Sequence, residues 1–219
     1  MKYTHLLFDL DGTLIDTLEG VIKCAQYSLR HYGIEKTLDE VRPFLGPPLR
    51  YSFEKYGVPQ DKIVEAIEKY RERYDRCGAA ESRVFDGVPK MLSNLKNAGY
   101  KLGVATSKYE EYAKIMLKEF GLADNFTFIT GSNLDETISK KHEVIEEALR
   151  RFGMTGDRSK VLMIGDMRFD IGGARIANVD SFGIYTGTAQ ENEHENAGAT
   201  YIAHSFAETE KILLGFINE

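Results

Sequence analysis

Cysteine is scarce in this chain, because only Cys24 and Cys77 occur among its 219 residues. These two are isolated in the sequence and match no metal-binding spacing. A secreted domain held together by disulfides needs several cysteines in a short chain. We therefore expect two reduced thiols. The apolar content of 42% supports one large domain, or a core with a smaller companion.

Long hydrophobic runs are also missing. No stretch approaches the roughly 20 consecutive apolar residues that a membrane-spanning helix needs. The first residues show no basic segment followed by an apolar stretch and a small-residue cleavage site, which is the pattern of a secretory signal. We expect a cytoplasmic protein that does not insert into a membrane.

Concentrated positive charge is the third absence. The formal net charge is −6, and lysine and arginine form no dense run along the chain. Binding to a nucleic-acid backbone depends on clustered basic residues. We therefore expect no nucleic-acid partner.

What the chain does contain, near its start, is a pair of carboxylates two residues apart. Asp9 and Asp11 follow the aromatic and apolar residues 3–8, which predict a short buried strand. Gly12 then permits a sharp exit from that strand. The run Asp-x-Asp-Gly-Thr fixes four residue types and would match by chance about once in 10⁵ positions. Ligands bind beyond the carboxyl ends of strands in open α/β sheets, so both carboxylates are expected at a site.

A second pair of carboxylates follows a later apolar run. Residues 160–164 predict another strand that leads into Asp166, and Asp170 lies one helical turn further on. The same strand-end argument brings this pair to the edge of the sheet where the first pair lies. An ordinary turn after a strand is also rich in Asp and Gly, but two acidic strand ends favour a shared site over that alternative.

Hydroxyl groups and a lysine add to this set. The predicted strand at residues 102–107 ends in Thr106 and Ser107, and Lys141 opens a predicted helix that runs to residue 152. Carboxylates, hydroxyls and an ammonium group therefore gather from four separate segments of the chain.

These four segments resemble the motifs of the haloacid dehalogenase superfamily of phosphohydrolases. The matching parts are residues 9–13, the strand that ends at Thr106, the region of Lys141, and residues 165–170. The resemblance covers essentially the whole chain. It is closest to the phosphoglycolate phosphatase-like branch, in which a helical insert follows the first motif. Here that insert contains residues 46–49, Gly-Pro-Pro-Leu, a run similar to one in that branch.

The order of the predicted elements indicates two units. Strands and helices alternate in residues 1–16 and 82–219, which predicts an α/β fold with a doubly wound, mostly parallel, Rossmann-like sheet. Residues 17–81 are predicted to be an inserted helical bundle cap of four helices. These helices are expected at residues 17–32, after a capping box formed by Thr37 and Glu40, at residues 49–56 and at residues 60–76.

The charge of the gathered residues predicts a metal ion. Three aspartates face the one positive charge of Lys141, and a phosphate ester would add nearly two more negative charges. A hard divalent cation removes this repulsion, and carboxylate and carbonyl oxygens are usual ligands of Mg²⁺. We expect Mg²⁺ to bind Asp9, Asp166 and the backbone carbonyl of Asp11. Asp170 would be a further ligand, or would orient a metal-bound water.

The resemblance implies different roles for the first two carboxylates. Asp9 would attack phosphorus and form an aspartyl-phosphate. Asp11 would protonate the departing oxygen, and would later take a proton from the water that hydrolyses this intermediate. Dehalogenases of the superfamily lack this second acid, because a halide leaves without a proton. The presence of Asp11 therefore disfavours dehalogenation.

The transferred phosphoryl group also needs donors around its oxygens. We expect these from the Thr106 hydroxyl, the backbone N–H groups of Gly12 and Ser107, and the ammonium of Lys141. Lys140 competes for the last role, but the register of Lys141 matches the family motif. Lys108 is expected to be an exposed charge at the start of a helix.

The expected partner is a small-molecule phosphate ester, such as phosphoglycolate, a nucleotide or a sugar phosphate. Arg50, in the predicted cap, is a candidate to bind a carboxylate or second phosphate of this substrate, although a solvated helix charge explains it equally well. One alternative function is that of a sugar phosphomutase of the β-phosphoglucomutase type, which keeps both aspartates. Another is that of a non-catalytic phosphate-binding protein with the same fold.

Overall fold

The computed structural model describes residues 1–78, 80–134 and 137–219. These divide into two compact units, one formed by residues 1–14 and 84–219, the other by residues 15–83. The strands are β1 His5–Phe8, β2 Ile15–Asp16, β3 Arg83–Val84, β4 Lys101–Tyr109, β5 Phe128–Ser132, β6 Val161–Gly165, β7 Asp180–Ile184 and β8 Tyr201–Ala203. The helices are α1 Leu18–His31, α2 Leu49–Lys55, α3 Ile63–Cys77, α4 Val88–Asn97, α5 Glu110–Glu119, α6 Lys141–Phe152, α7 Arg168–Ile176, α8 Glu193–Ala197 and α9 Phe206–Gly215.

Six strands of the first unit form one sheet in the order β5-β4-β1-β6-β7-β8. Every neighbouring pair is parallel. The strand β1 lies in the middle and is buried along its whole length, as expected for a strand that has helices on both faces of its sheet. The predicted doubly wound, mostly parallel α/β fold is confirmed.

The order of the strands also locates a crevice. After β1 the chain first builds β4 and β5 on one side of it, and then β6, β7 and β8 on the other. Ligands in open α/β sheets bind where the strand order reverses in this way, at the carboxyl ends of the strands. Phe8, the last residue of β1, is level with Val104 on one neighbour and Ile164 on the other. The residues that follow these three positions therefore emerge at the same edge.

The helix α6 shows how an apolar stripe brings a lysine into the interior. Its buried positions are 141, 144, 145, 148 and 149, the spacing of one helix face. The last four carry Val, Ile, Ala and Leu, which belong to the same buried hydrophobic cluster as Leu7 of β1 and Met163 of β6. Lys141 is the first member of this stripe, so its side chain is directed toward the sheet.

The second unit contains three α-helices among its described residues, and the prediction of four is wrong at one position. The capping box of Thr37 and Glu40 does form, because Thr37 N donates to Glu40 Oε2 and Glu40 N donates to Thr37 Oγ1. It begins a turn that leads into a short 3₁₀ segment, Arg42–Phe44, rather than an α-helix. Pro43 and the run Gly46-Pro47-Pro48 explain this, since proline cannot continue a helix.

Two short strands lie where the chain passes between the units. β2 and β3 pair with each other, and Arg83 forms an ion pair of 3.0 Å with Asp16. The interpretation of residues 17–81 as a cap stays a prediction. No helix in the described part of the chain is long and apolar enough to span a bilayer.

Candidate active site

Three carboxylates meet at the carboxyl edge of the sheet. Asp9 directly follows β1, and its backbone N donates to Ile164 O at 2.9 Å. Asp166 directly follows β6, and Asp170 lies in the first turn of α7. All three are buried, and each offers an oxygen atom within 4.8 Å of the others. The structure therefore brings together the three aspartates that were expected at one edge of the sheet.

Lys141 lies against two of these carboxylates. Its Nζ is 2.8 Å from Asp9 Oδ1 and 2.8 Å from Asp170 Oδ1, and it donates to Ala105 O at 3.1 Å. The Lys141 side chain passes close to α7 at Gly173, where an added Cβ would come within 2.6 Å of Lys141 Cγ. Lys140, which precedes the helix, is exposed. Of the two lysines considered, the structure brings Lys141 into the cluster.

The cluster holds its negative charge at a cost. Burial raises the pKa of Asp9 to about 6, with Lys141 opposing this rise and Asp170 adding to it. Burial, together with the charges of Asp170 and Asp9, raises the pKa of Asp166 well above its usual range. Burial alone would lower the pKa of Lys141, but the two carboxylates beside it raise that pKa above its ordinary value. The lysine is therefore a permanent cation, whereas Asp9 and Asp166 resist ionisation.

Asp166 is fixed in place by hydroxyl groups. Thr13 Oγ1 donates to Asp166 Oδ1 at 2.6 Å, and Thr188 Oγ1 donates to Asp166 Oδ2. Gly12 lies directly against this carboxylate, because a Cβ added there would be 2.3 Å from Asp166 Oδ2. Gly12 also has a φ of +87°, in the left-handed region that favours glycine. Both the backbone angle and the close approach therefore require glycine at this turn.

Asp11 has a partner that the sequence did not reveal. Lys108 Nζ lies 2.9 Å from Asp11 Oδ1 and 3.1 Å from Oδ2, and its side chain is only 8% exposed. The expectation that Lys108 is an exposed charge is wrong. The cause is the length of β4, which continues to Tyr109 past a register irregularity after Ala105, so that Lys108 lies within the strand instead of opening a helix.

The remaining predicted residues are placed as follows. Thr106 is buried in β4, and its Oγ1 accepts a hydrogen bond from Lys108 N at 3.2 Å. Ser107 follows it in the same strand. Arg50 lies on α2 in the second unit, and its role toward a substrate stays a prediction.

Comparison with known proteins agrees with this geometry. A model of haloacid dehalogenase-like hydrolases matches residues 6–184, which include all the aspartates and lysines described above. The chain belongs to the haloacid dehalogenase-like hydrolase family.

Proteins that match nearly the full length of this hydrolase include phosphatases. It is 37% identical over 215 residues to a 5′-nucleotidase of Pseudomonas aeruginosa, a match that covers 97% of this chain and 96% of the relative. The crystal structure of a predicted phosphatase from Clostridium acetobutylicum is 39% identical, with a TM-score of 0.93, covering 98% of this chain and 100% of that chain. The tyrosine-protein kinase PtkA of Mycobacterium tuberculosis is 30% identical over 201 residues, which are 91% of this chain and 68% of the kinase. The prediction of a phosphatase of this superfamily is confirmed.

The donor atoms of the hydrolase fit a divalent metal ion. When ionised, the three clustered aspartates carry three negative charges against the one positive charge of Lys141. Carboxylate oxygens at this spacing are the ligands that hard divalent cations prefer. Burial and the neighbouring charges of Asp170 and Asp9 raise the pKa of Asp166, so a cation bound at this cluster would favour its ionised form.

Sequence reasoning missed two threonines of this hydrolase. Thr186 and Thr188 follow β7, and both contact the acidic segments, since Thr186 Oγ1 donates to Gly12 O at 2.7 Å. The sequence carried a signal for them, because residues 180–184 form a strand of the same parallel sheet as residues 5–8 and 161–165, and the threonines follow its carboxyl end.

Proposed function

We propose that this protein is a Mg²⁺-dependent phosphatase that hydrolyses a small phosphate ester through a phosphorylated Asp9. The observation that carries this proposal is the buried arrangement of Asp9, Asp166 and Asp170 around Lys141 at the switch point of the sheet. Asp11, which forms an ion pair with Lys108, lies two residues beyond Asp9, where a proton donor for the same reaction would be needed.

Mg²⁺ would be held by Asp9, Asp166 and the backbone carbonyl of Asp11, with Asp170 as a further ligand or as a partner that orients bound water. When bound, it would neutralise the excess negative charge of the cluster and of the phosphoryl group. Oxygen ligands of this kind suit Mg²⁺, and the neutral threonine hydroxyls on Asp166 leave its charge available.

Asp9 would act first, as the nucleophile. Its carboxylate oxygen forms a bond to phosphorus while the bond from phosphorus to the ester oxygen breaks, and the protonated form of Asp11 gives its proton to the departing oxygen. The ion pair with Lys141 favours the ionised, nucleophilic form of Asp9. Lys141 also brings a positive charge to the place where phosphoryl oxygens would gather.

Water would complete the reaction. Asp11, now a carboxylate, takes a proton from the water as its oxygen attacks phosphorus, and the bond from phosphorus to Asp9 breaks to release inorganic phosphate. The ion pair between Asp11 and Lys108 matches this ionised state. The hydroxyl of Thr106 and the backbone N–H groups of Gly12 and Ser107 are proposed to donate to the phosphoryl oxygens during both steps.

Nucleoside 5′-monophosphates are the substrate class that we propose first, because the 5′-nucleotidase relative matches nearly the whole of both chains. The unit of residues 15–83 is proposed to be the cap that recognises the leaving group. Arg50 remains the candidate in that unit for a substrate carboxylate or a second phosphate.

The test is a panel of phosphate esters assayed for release of inorganic phosphate. Nucleoside 5′-monophosphates, phosphoglycolate, pyrophosphate and small sugar phosphates are compared by kcat/KM, with Mg²⁺ and after its removal by EDTA. We expect turnover that disappears with EDTA and returns with added Mg²⁺. Full activity without a divalent ion, or no release from any ester, would contradict the proposal. Isomerised sugar phosphate formed in the presence of glucose bisphosphate would instead indicate a mutase.

The Lys108 pair offers a more specific prediction. Lys108→Met removes the positive charge that lies against both oxygens of Asp11, so Asp11 loses its orientation and kcat is expected to fall about 10–100-fold. Lys108→Arg, which keeps the charge, should retain more activity than the methionine variant. Steady-state kinetics on the best ester of the panel measure this effect. Equal kcat values for wild type and Lys108→Met would remove Lys108 from the mechanism.

A further inference from the structure

The segment that follows β7, residues 185–193, contacts the acidic cluster and lies outside the four family-like segments. Thr188 Oγ1 donates to Asp166 Oδ2. Two residues earlier, Thr186 Oγ1 donates to the carbonyl of Gly12 at 2.7 Å. One short stretch therefore binds both the turn after β1 and the carboxylate after β6.

The same segment also holds the start of α7. Glu193 is buried, and its Oε1 accepts a hydrogen bond from the backbone N of Arg168, the first residue of α7, at 2.8 Å. Its Oε2 accepts from Gln190 N at 3.1 Å, which closes the loop on itself. The first N–H groups of a helix have no partner within the helix, so Glu193 fixes the terminus from which Asp170 projects.

The proton count makes the direction of these bonds definite. Each threonine hydroxyl has one proton, and the acceptors, the Gly12 carbonyl and Asp166 in the ionised form that a metal ligand must adopt, have none to give. Thr188 must therefore donate to Asp166, as Thr13 does on its other oxygen. Each oxygen of Asp166 accepts one hydroxyl proton and keeps further lone pairs for another partner. The orientation of this carboxylate is thus set by two hydroxyls, one of which lies outside the recognised motifs.

We propose that Thr188 is a positioning residue for the metal site, which orients Asp166 as a ligand, with Thr186 and Glu193 holding the segment that carries it. This inference rests on the proposed function, because it requires a divalent ion at the cluster. Partners that orient a metal ligand typically change metal affinity or activity 10–100-fold when removed. Thr188 itself need not touch the metal or the substrate.

The experiment measures Mg²⁺ binding directly, by isothermal titration calorimetry of the full chain with MgCl₂. Thr188→Val removes the hydroxyl and keeps the branched shape, and we expect the Kd for Mg²⁺ to rise about tenfold or more. Thr188→Ser restores the donor and should return the Kd to within about threefold of wild type. If the valine variant does not fold, Thr188→Ala removes the same hydroxyl and is titrated in its place.

A matched control separates positioning from general destabilisation. Thr209 is fully buried in α9, and its Oγ1 donates to Ser205 O at 2.9 Å, away from the cluster. Thr209→Val therefore also loses one hydroxyl hydrogen bond, in this case to a backbone carbonyl, and its Mg²⁺ affinity should equal that of wild type.

Three results would overturn the inference. They are a Thr188→Val protein that binds Mg²⁺ as tightly as wild type, a serine variant as weak as the valine variant, and a control weakened as much as the Thr188 variants. A wild-type protein that binds no Mg²⁺ would overturn the proposed function itself, and this inference with it. The two failures are therefore distinguishable from a single set of titrations.

Discussion

Asp9→Asn is expected to eliminate phosphate release, with kcat lowered by about 10⁴-fold or more. The amide has nearly the shape of the carboxylate but cannot form the bond to phosphorus. The fold should survive, because Lys141 keeps its ion pair with Asp170 and its hydrogen bond to the Ala105 carbonyl. The measurement is steady-state release of inorganic phosphate, with circular dichroism to check that the variant is folded.

Asp11→Asn is the natural comparison, because it sits two residues away and is proposed to move protons rather than to bond with phosphorus. General acid–base groups contribute about 10²–10⁴-fold. The nitrophenolate of p-nitrophenyl phosphate leaves without a proton, so the first step should remain fast in this variant while the second is slow. We expect a burst of nitrophenol equal to the enzyme concentration, and a phosphorylated protein in the intact mass spectrum.

The two variants together decide which aspartate is the nucleophile. A burst in Asp11→Asn and none in Asp9→Asn is the expected pair of results. A burst in Asp9→Asn would assign the phosphorylated residue elsewhere. A steady rate without any burst or phosphorylated species in Asp11→Asn would contradict a covalent intermediate that depends on this residue for its hydrolysis.

The fold and the acidic cluster could be predicted because local pattern and topology agreed. Buried strands such as β1 and β6 are continuous apolar runs, and parallel strands present all their carboxyl ends at one edge. Lys141 could also be placed, since helix spacing puts it on the same face as Val144 and Ile145. These inferences needed no knowledge of side-chain packing.

The contacts around the cluster could not be predicted in the same way, because they depend on where strands stop. Lys108 reaches Asp11 since β4 continues to Tyr109, and nothing in its charge distinguishes it from a lysine at a helix start. Thr188 reaches Asp166 across 22 residues of chain. A local signal can also form without the element that it predicts. The capping box at Thr37 is present, but no α-helix follows it, because proline comes too soon after it.

Lys141→Met is expected to have the largest effect on stability, because it leaves Asp9 and Asp170 buried without their shared cation. Removing one partner of a buried ion pair costs about 3–5 kcal/mol. We expect a loss of that order in the free energy of unfolding of the metal-free protein at neutral pH, measured by urea denaturation. Lys140→Met is the matched control, because the neighbouring lysine is exposed and surface charges contribute about 0–1 kcal/mol.

The pH dependence of this effect has a definite sign. The pKa of Asp9 in the folded metal-free protein is raised to about 6 from an ordinary value of 3.8. A group that binds its proton more tightly when folded stabilises the fold at low pH, and this contribution is lost as the pH rises from about 4 through about 6. Without Lys141, which opposes the rise, the pKa of Asp9 should be higher still. The stability difference between Lys141→Met and wild type should therefore be larger at pH 8 than at pH 5.

Measurements with and without Mg²⁺ distinguish the contribution of Lys141 to stability from its contribution to catalysis. A divalent ion at the cluster would replace some of the missing positive charge, so saturating Mg²⁺ should recover part of the stability of Lys141→Met. It should not recover kcat, because the ammonium that is proposed to meet the phosphoryl oxygens is still absent. A Lys141→Met protein as stable at pH 8 as Lys140→Met would show that the cluster does not need this cation. Full turnover of Lys141→Met with Mg²⁺ would show that the substrate does not need it either.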